Sequence, residues 1–358
     1  MSADVPAALR SARDLVEAGF APEGRLAELE AVAARYATAI TPAMADLIDP
    51  TNPADPIALQ FVPSGAELDH QPEERPDPIG DLEHSPIAGI VHRYPDRVLL
   101  KPLHVCPVYC RFCFRREMVG PDGLGTLGVQ ETEAALAYVR AHPEVWEVVV
   151  TGGDPLILSP RRIGELMAGL GSIPHVKVVR FHTRVPVVSP EAVTDELIAA
   201  LRTDRTKAVY VVLHANHARE MTDAARAACA RLVDAGVPML SQSVLLRGVN
   251  DQAETLEALM RALVEARIKP YYLHHPDLAP GTGHFRVSLA AGQDLMRALR
   301  GRVSGLCQPT YVLDLPNGHG KSPIGPSYAT PIPSEPEKTQ RYWIEDYAGR
   351  SHLYPPDA

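Results

Sequence analysis

The chain has 358 residues, which suits one large catalytic domain with extensions, or two domains at most. Hydrophobic residues make up 46%, enough for a substantial core. No run reaches the roughly 18–20 apolar residues that span a bilayer, and the N-terminus lacks a secretory signal, so a cytoplasmic protein is expected. A net charge of −9, from 35 Lys and Arg against 44 Asp and Glu, argues against a nucleic-acid binder, which would carry a basic footprint. Basic residues concentrate locally at Arg111, Arg115 and Arg116, which suggests a site for small anions.

Residues 1 to about 48 carry helical periodicity, and residues 49–85, rich in Pro, Asp and Glu, read as an irregular, solvated connection. From Arg97 onward short β-rich runs appear at 97–103, 146–151, 176–181, 208–214, 237–246 and 269–275. Helical patterns at 129–141, 160–170, 190–202, 220–235, 251–267 and 288–303 alternate with them. Six strand–helix repeats indicate parallel strands with helical crossovers, and continuously apolar strands indicate a sheet covered on one face and lined on the other. The expected fold is α/β, a partial (β/α)6 barrel, with a doubly wound sheet as the alternative. The expected boundaries are 1–85 for an N-terminal helical extension and linker, 86–325 for the barrel and 326–358 for a short C-terminal extension. Candidate chemical residues recur just after strands, where barrels build active sites: the cysteine loop, Gly152-Gly153-Asp154, His182 with Arg184, His214 with His217, and His275 with Asp277.

Of five cysteines, Cys229 and Cys307 read as small core residues. The other three form Cys106-Pro-Val-Tyr-Cys110-Arg-Phe-Cys113, a C-x3-C-x2-C loop. Three thiolates so spaced can ligate three of the four irons of a cubane, leaving the fourth open to a ligand. The alternative is a zinc site completed by His104, but structural zinc prefers C-x2-C pairs and no second pair exists.

With the flanks Tyr109-Cys110-Arg111-Phe112-Cys113-Phe114-Arg115-Arg116, the loop resembles the radical S-adenosylmethionine superfamily, and within it the lysine 2,3-aminomutase family. The resemblance covers approximately residues 85–330 and recurs at His92–Arg97, Thr151–Leu156, Ser243–Asp251 and Pro270-Tyr-Tyr. It implies a [4Fe–4S] cluster on Cys106, Cys110 and Cys113, and S-adenosylmethionine held by Gly152, Gly153 and Asp154, with His214 and Gln242 nearby. Without the resemblance, Gly152-Gly153-Asp154 reads equally well as a strand–helix turn with Asp154 as N-cap.

Asp314-Leu-Pro-Asn-Gly318-His319-Gly320-Lys321-Ser322 superficially matches a phosphate loop, but Leu315 replaces the first required glycine. A lone lysine there would by default be a solvated loop residue. The resemblance makes Lys321 the Schiff-base lysine for pyridoxal phosphate, on a glycine-rich loop mobile enough to yield the aldehyde to an incoming amine. It likewise makes Arg93, Tyr94 and Arg97 the phosphate-binding stretch before the first strand. Arg115 becomes the ligand of the substrate α-carboxylate, and Asp277 and Asp314 receive the distal ammonium of lysine. Two converging carboxylates repel unless a cation sits between them, which agrees with a cationic substrate. Gly123-x-Gly125-x-x-Gly128 follows no strand and reads as a turn, and His214-Ala-Asn-His217 lies too early for a helical zinc pair.

Several aminomutases of this family carry extra cysteines for zinc, one directly after the Val-Asn-Asp segment. Gln252 stands there and residues 326–358 hold no cysteine, so no zinc is expected. The resemblance implies a radical 1,2-amino shift of L-lysine to β-lysine, fed by reduced flavodoxin or ferredoxin, in a homo-oligomer with no nucleic-acid or membrane partner. The alternatives are glutamate, arginine, ornithine or a lysine on a translation factor as substrate, or a non-catalytic iron–sulfur or zinc scaffold.

Overall fold

The computed structural model describes residues 8–120, 125–333 and 340–356, so Gly123 of the glycine turn lies outside the described residues. The N-terminal segment forms four short helices, α1 (Ala12–Glu17), α2 (Leu26–Ala33), α3 (Pro42–Ala45) and α4 (Ala58–Phe61). A hairpin of β1 (Ile90–Tyr94) and β2 (Arg97–Leu103) then opens a nine-stranded sheet. It continues through β3 (Glu147–Gly152), β4 (Val178–Thr183), β5 (Ala208–His214), β6 (Met239–Val244), β7 (Ile268–His274) and β8 (Thr310–Leu315), all parallel to β2, and ends in the antiparallel β9 (Gly320–Pro323).

The helices α5 (Val129–Ala141), α6 (Pro160–Gly171), α7 (Val185–Val188) with α8 (Asp195–Leu201), α9 (Asp223–Asp234), α10 (Ala253–Glu265) and α11 (Leu289–Leu299) fill the six crossovers. Local chemistry sets their starts: Ser159, Thr194, Thr222 and Ser288 each accept a hydrogen bond from a first-turn N–H, and Pro160 occupies the first position of α6. The strands lie in the sheet in chain order. Right-handed crossovers between sequential parallel strands put every helix on one face and curl the sheet, whereas a doubly wound sheet needs a reversal of strand order. The fold is the partial barrel, six strand–helix units long. Among the described residues β1 and β9 do not pair by backbone, yet the Lys321 N–H donates to the Tyr94 hydroxyl at 2.6 Å across the gap.

Three features differ from the sequence reading. The stretch His92–Arg97 is the β1–β2 hairpin rather than a lead-in to the first strand, and β8 and β9 extend the sheet beyond six strands. The C-terminal extension folds as a separate three-stranded sheet, β10 (Ala329–Pro331), β11 (Tyr342–Glu345) and β12 (Ser351–Tyr354). Third, residues 49–85 are not simply solvated: Asp55, Gln60, Glu67 and Asp81 are fully buried.

The reason is packing from the extension. Leu15, Ile40, Met44 and Phe61 share one hydrophobic core with Val150, Phe181 and Leu213 of the barrel. Burial of each such side chain stabilises by roughly 1.5–3 kcal/mol. Polar ties reinforce the contact: the Thr41 hydroxyl donates to the Val188 carbonyl at 2.5 Å, and Arg219 pairs with Asp55 at 2.5 Å. Cys229 and Cys307 are buried, as their core reading requires. Among the described residues no helix is long and apolar enough to cross a membrane.

Candidate active site at the mouth of the barrel

The loop that follows β2 carries Cys106, Cys110 and Cys113, all half-buried and unpaired. The N-terminal extension fixes its path, because Tyr109 N–H donates to the Ala39 carbonyl at 3.1 Å and Arg111 N–H to the Gln60 carbonyl at 2.9 Å. The three cysteines line one small pocket of about 40 Å³. Burial pushes all three thiols up, that of Cys113 to about 11, and that of Cys106 well above its usual range with help from the charge of Asp154. Such thiols stay protonated at neutral pH unless a metal draws the proton off. Cys110 Sγ nevertheless meets a donor, Arg184 Nη1 at 3.0 Å. Among the described residues no three His, Cys, Asp or Glu side chains converge on a single ion. A cubane takes each thiolate on a different iron, so three soft donors lining one pocket fit the cluster.

Gly152 and Gly153 end β3 against this loop. Gly152 has φ +114°, and a Cβ on it would lie 2.4 Å from the Leu103 carbonyl oxygen; one on Gly153 would lie 2.1 Å from that of Val105. What the glycines approach is therefore the backbone leading into Cys106, to which Gly153 and Asp154 also donate at 2.7 and 3.0 Å. The Asp154 carboxylate caps the next turn through Leu156 N–H and accepts from the Thr183 hydroxyl and the Arg184 N–H, both at 2.7 Å. It ties the end of β4 to the cysteine loop. Gly153→Ala is expected to displace Val105 and leave purified, anaerobically reconstituted protein with markedly less iron and sulfide per chain; a full complement would refute the close approach.

Facing the loop, half-buried histidines with buried Nε2 atoms lie at the ends of three strands. His182 Nε2 on β4, His214 Nε2 on β5 and His274 Nε2 on β7 have no hydrogen-bond partner among the described residues, and burial pushes all three imidazoles down. Buried polar atoms are normally satisfied, so orphans clustered at one end of a barrel fit a site that polar ligands complete. His214 also meets the ring of Phe112, between Cys110 and Cys113, edge-on at 6.0 Å, and pairs in register with Gln242 on β6. His217 turns away and accepts from the Arg219 N–H. His275 is taken by the Tyr311 hydroxyl at 2.7 Å.

The far edge of the mouth holds Lys321. It sits on β9 rather than in the glycine loop, which makes the β8–β9 turn, and its Nζ lies 2.6 Å from both oxygens of Asp314 on β8. His274 Nδ1 approaches the same carboxylate at 3.3 Å. Burial opposes charge on Asp314, but His274 and Lys321 overcome it and hold this carboxyl well below the usual range. Asp277 goes the other way: burial, then the charge of Asp314, push it up to about 8, and its Oδ1 is buried without a partner. The Lys321 ammonium thus already occupies the cationic position that two neighbouring carboxylates demand.

Of Arg93, Tyr94 and Arg97 on the β1–β2 hairpin, Tyr94 meets Lys321 directly; the Arg97 guanidinium lies 3.9 Å from the centroid of the Tyr94 ring and pairs with Asp96 at 2.7 Å, and Arg93 pairs with Asp81. Arg93 Nε is a buried orphan. An amine, two guanidiniums and a phenol at one edge are the donor set that an aldehyde bearing a phosphate needs, so the site fits pyridoxal phosphate.

The arginine triplet is a correction. Arg111 and Arg116 are not an open anion site but are both paired with the buried Glu67. Arg115 pairs with the buried Asp81 at 3.0 Å, which also holds Arg93 at 2.9 Å and Lys101 at 3.9 Å. Asp81 thereby links the phosphate-edge arginine to the arginine assigned to the substrate carboxylate. Sequence reading missed Glu67, Asp81, Lys101 and His274. The available signal was an acidic linker preceding three arginines in a loop that must be buried to hold its cysteines.

Comparison with known proteins agrees with this geometry. Residues 100–261 match the model of the radical SAM superfamily. The chain is 41% identical to L-lysine 2,3-aminomutase of Clostridium subterminale over 290 residues, 81% of this chain and 69% of that protein. It is 39% identical to a putative L-lysine 2,3-aminomutase of Aquifex aeolicus over 315 residues, 88% of this chain and 83% of that protein. Glutamate 2,3-aminomutase of Clostridioides difficile is 36% identical over 301 residues, 84% and 70% of the two chains. A three-cysteine loop, a lysine facing paired carboxylates and this identity over four-fifths of the chain together place it in the lysine 2,3-aminomutase family of radical S-adenosylmethionine enzymes.

Proposed function

We propose that the protein is an aminomutase that moves the α-amino group of L-lysine to C3, giving β-lysine. The observation that carries the substrate is the Asp277–Asp314 pair: Asp314 is engaged by Lys321, while Asp277, pushed up to about 8 by burial and by the charge of Asp314, has a buried oxygen without a partner among the described residues. When bound, the cluster supplies the electron that cleaves S-adenosylmethionine to a hydrogen-abstracting radical, and pyridoxal phosphate supplies a carbonyl and π-system that carry the migrating nitrogen.

The chain's residues do the placing. Cys106, Cys110 and Cys113 hold the cluster; Gly152, Gly153 and Asp154 shape the adjoining wall, with His214 and Gln242 across from it. Lys321 holds the carbonyl cofactor through its amine, and Arg93, Tyr94 and Arg97 take the phosphate. Arg115 receives the substrate α-carboxylate, sharing its charge with Asp81. Release of Lys321 from Asp314 removes the cation from the acid pair, and the distal ammonium of lysine restores it. A glutamate side chain would bring a third carboxylate into that recess and is disfavoured by the same electrostatics.

Anaerobic reconstitution with iron, sulfide, S-adenosylmethionine, pyridoxal phosphate and a strong reductant, followed by product analysis with lysine, glutamate, arginine and ornithine offered separately, tests the assignment. β-Lysine should dominate. Turnover of glutamate with none of lysine would overturn the substrate.

A further inference from the structure

One buried group beside the cysteine loop is not absorbed by cofactor or substrate binding. Arg184, directly after β4, has a side chain only 6% exposed and donates through Nη1 to Cys110 Sγ at 3.0 Å. Its Nη2 pairs closely with Glu220, fully buried, and reaches Gln60 Oε1 at 3.3 Å. Glu220 also accepts from the N–H groups of Asn216 and His217 at 2.8 and 2.9 Å, and from Gln60 Nε2 at 3.2 Å. Asn216 Nδ2 closes the network on Gln60 Oε1 at 3.1 Å. The guanidinium lies 5.0 and 5.8 Å from the ring centroids of Phe61 and Phe112. Its backbone N–H is fixed by Asp154.

The three sulfurs are therefore not equivalent. Among the described residues Cys110 alone of the three accepts a hydrogen bond from a charged side chain, and that guanidinium is buried in a low-dielectric pocket. Hydrogen bonds to the sulfurs and net charge around a cluster set its reduction potential. Adding an electron puts a negative charge on the cluster, and a buried guanidinium at one ligand favours that state. A carboxylate on the other side of the guanidinium opposes it. We propose that Arg184 and Glu220 form a buried charge pair that sets the reduction potential of the cluster through Cys110: Arg184 raises it and Glu220 restrains it. The electron itself comes from an external one-electron protein donor, and the cluster is the group reduced. Gln60 bonds to both members, so the N-terminal extension is part of the device. Arg184 acts through a ligand and is a positioning residue. The inference needs the cluster and not the identity of the amino acid, so failure of lysine turnover leaves it standing.

The test is an anaerobic redox titration followed by EPR on reconstituted wild type, Arg184→Gln, Arg184→Lys and Glu220→Gln, with iron and sulfide measured in each. Arg184→Gln should make the cluster at least tenfold harder to reduce, a shift of about 59 mV to more negative potential for a one-electron couple. Glu220→Gln should shift it the opposite way, and Arg184→Lys should stay nearest the wild type. A wild-type potential in a fully loaded Arg184→Gln or Glu220→Gln protein overturns the proposal. So does loss of the cluster from all three variants, which would make the pair an element of assembly alone.

Discussion

Replacing Lys321 with alanine is expected to leave a folded protein with its full iron and sulfide content and no amino-acid turnover above background. Deleting a covalent residue from an enzyme that uses one costs on the order of a millionfold, well beyond what altered binding alone produces. The fold should survive, because Lys321 lies on the short edge strand β9 with a side chain about one-third exposed, and its loss leaves Asp314 still engaged by His274. Two measurements separate the covalent role from the electrostatic one. Borohydride treatment of cofactor-loaded wild type should fix pyridoxal phosphate on the peptide containing Lys321, and the variant should take no label there. Lys321→Arg keeps a cation beside Asp314 but cannot condense reversibly with an aldehyde, so it should be as inactive as alanine while holding Asp314 ionised. Turnover by either variant, or label at another lysine, would remove Lys321 from the chemistry.

The Lys321–Asp314 contact also shows what was and was not legible in the sequence. The cysteine loop and the six strand–helix units could be read directly, because ligand spacing and hydrophobic period are local properties. The strands β2 to β7 all begin and end within two residues of the runs that announced them. The edge strands were not visible: β1 and β9 are four or five residues long, and β9 (Gly320–Pro323) holds a glycine and a proline that signal a turn. Electrostatic partnership was the least legible. Nothing in the spacing of Glu67 and Asp81 says that a Pro-rich linker will fold over the barrel mouth and neutralise Arg111, Arg115 and Arg116; that follows from tertiary packing of α4 and its neighbours. Arg115 likewise has Asp81 as a standing partner.

Glu67→Ala is expected to be the most destabilising single substitution in the site. Glu67 is fully buried and accepts from Arg111 Nε and Nη2 at 3.0 and 2.6 Å, from Arg116, and from the Ser64 N–H at 2.9 Å. Removing it leaves two buried guanidiniums facing each other without a counter-charge. Breaking a buried ion pair by deleting one partner typically costs about 3–5 kcal/mol, and here two cations lose their partner together. Arg111 lies between Cys110 and Phe112, so the loss should also show as a lower capacity to bind iron. The pH dependence has a definite sign. Burial pushes the Glu67 carboxyl up, but Arg111 and Arg116 outweigh it and hold the group below its usual range. Stabilisation from a depressed carboxylate is complete above its unfolded pKa and is lost as the pH falls through its folded value. The urea midpoints of wild type and Glu67→Ala should therefore differ most at neutral pH and converge only below the ordinary carboxylate range. Equal midpoints at neutral pH would mean that Glu67 does not hold the linker over the arginines, and a gap that widens on acidification would mean that the carboxylate is not the charged partner of the pair.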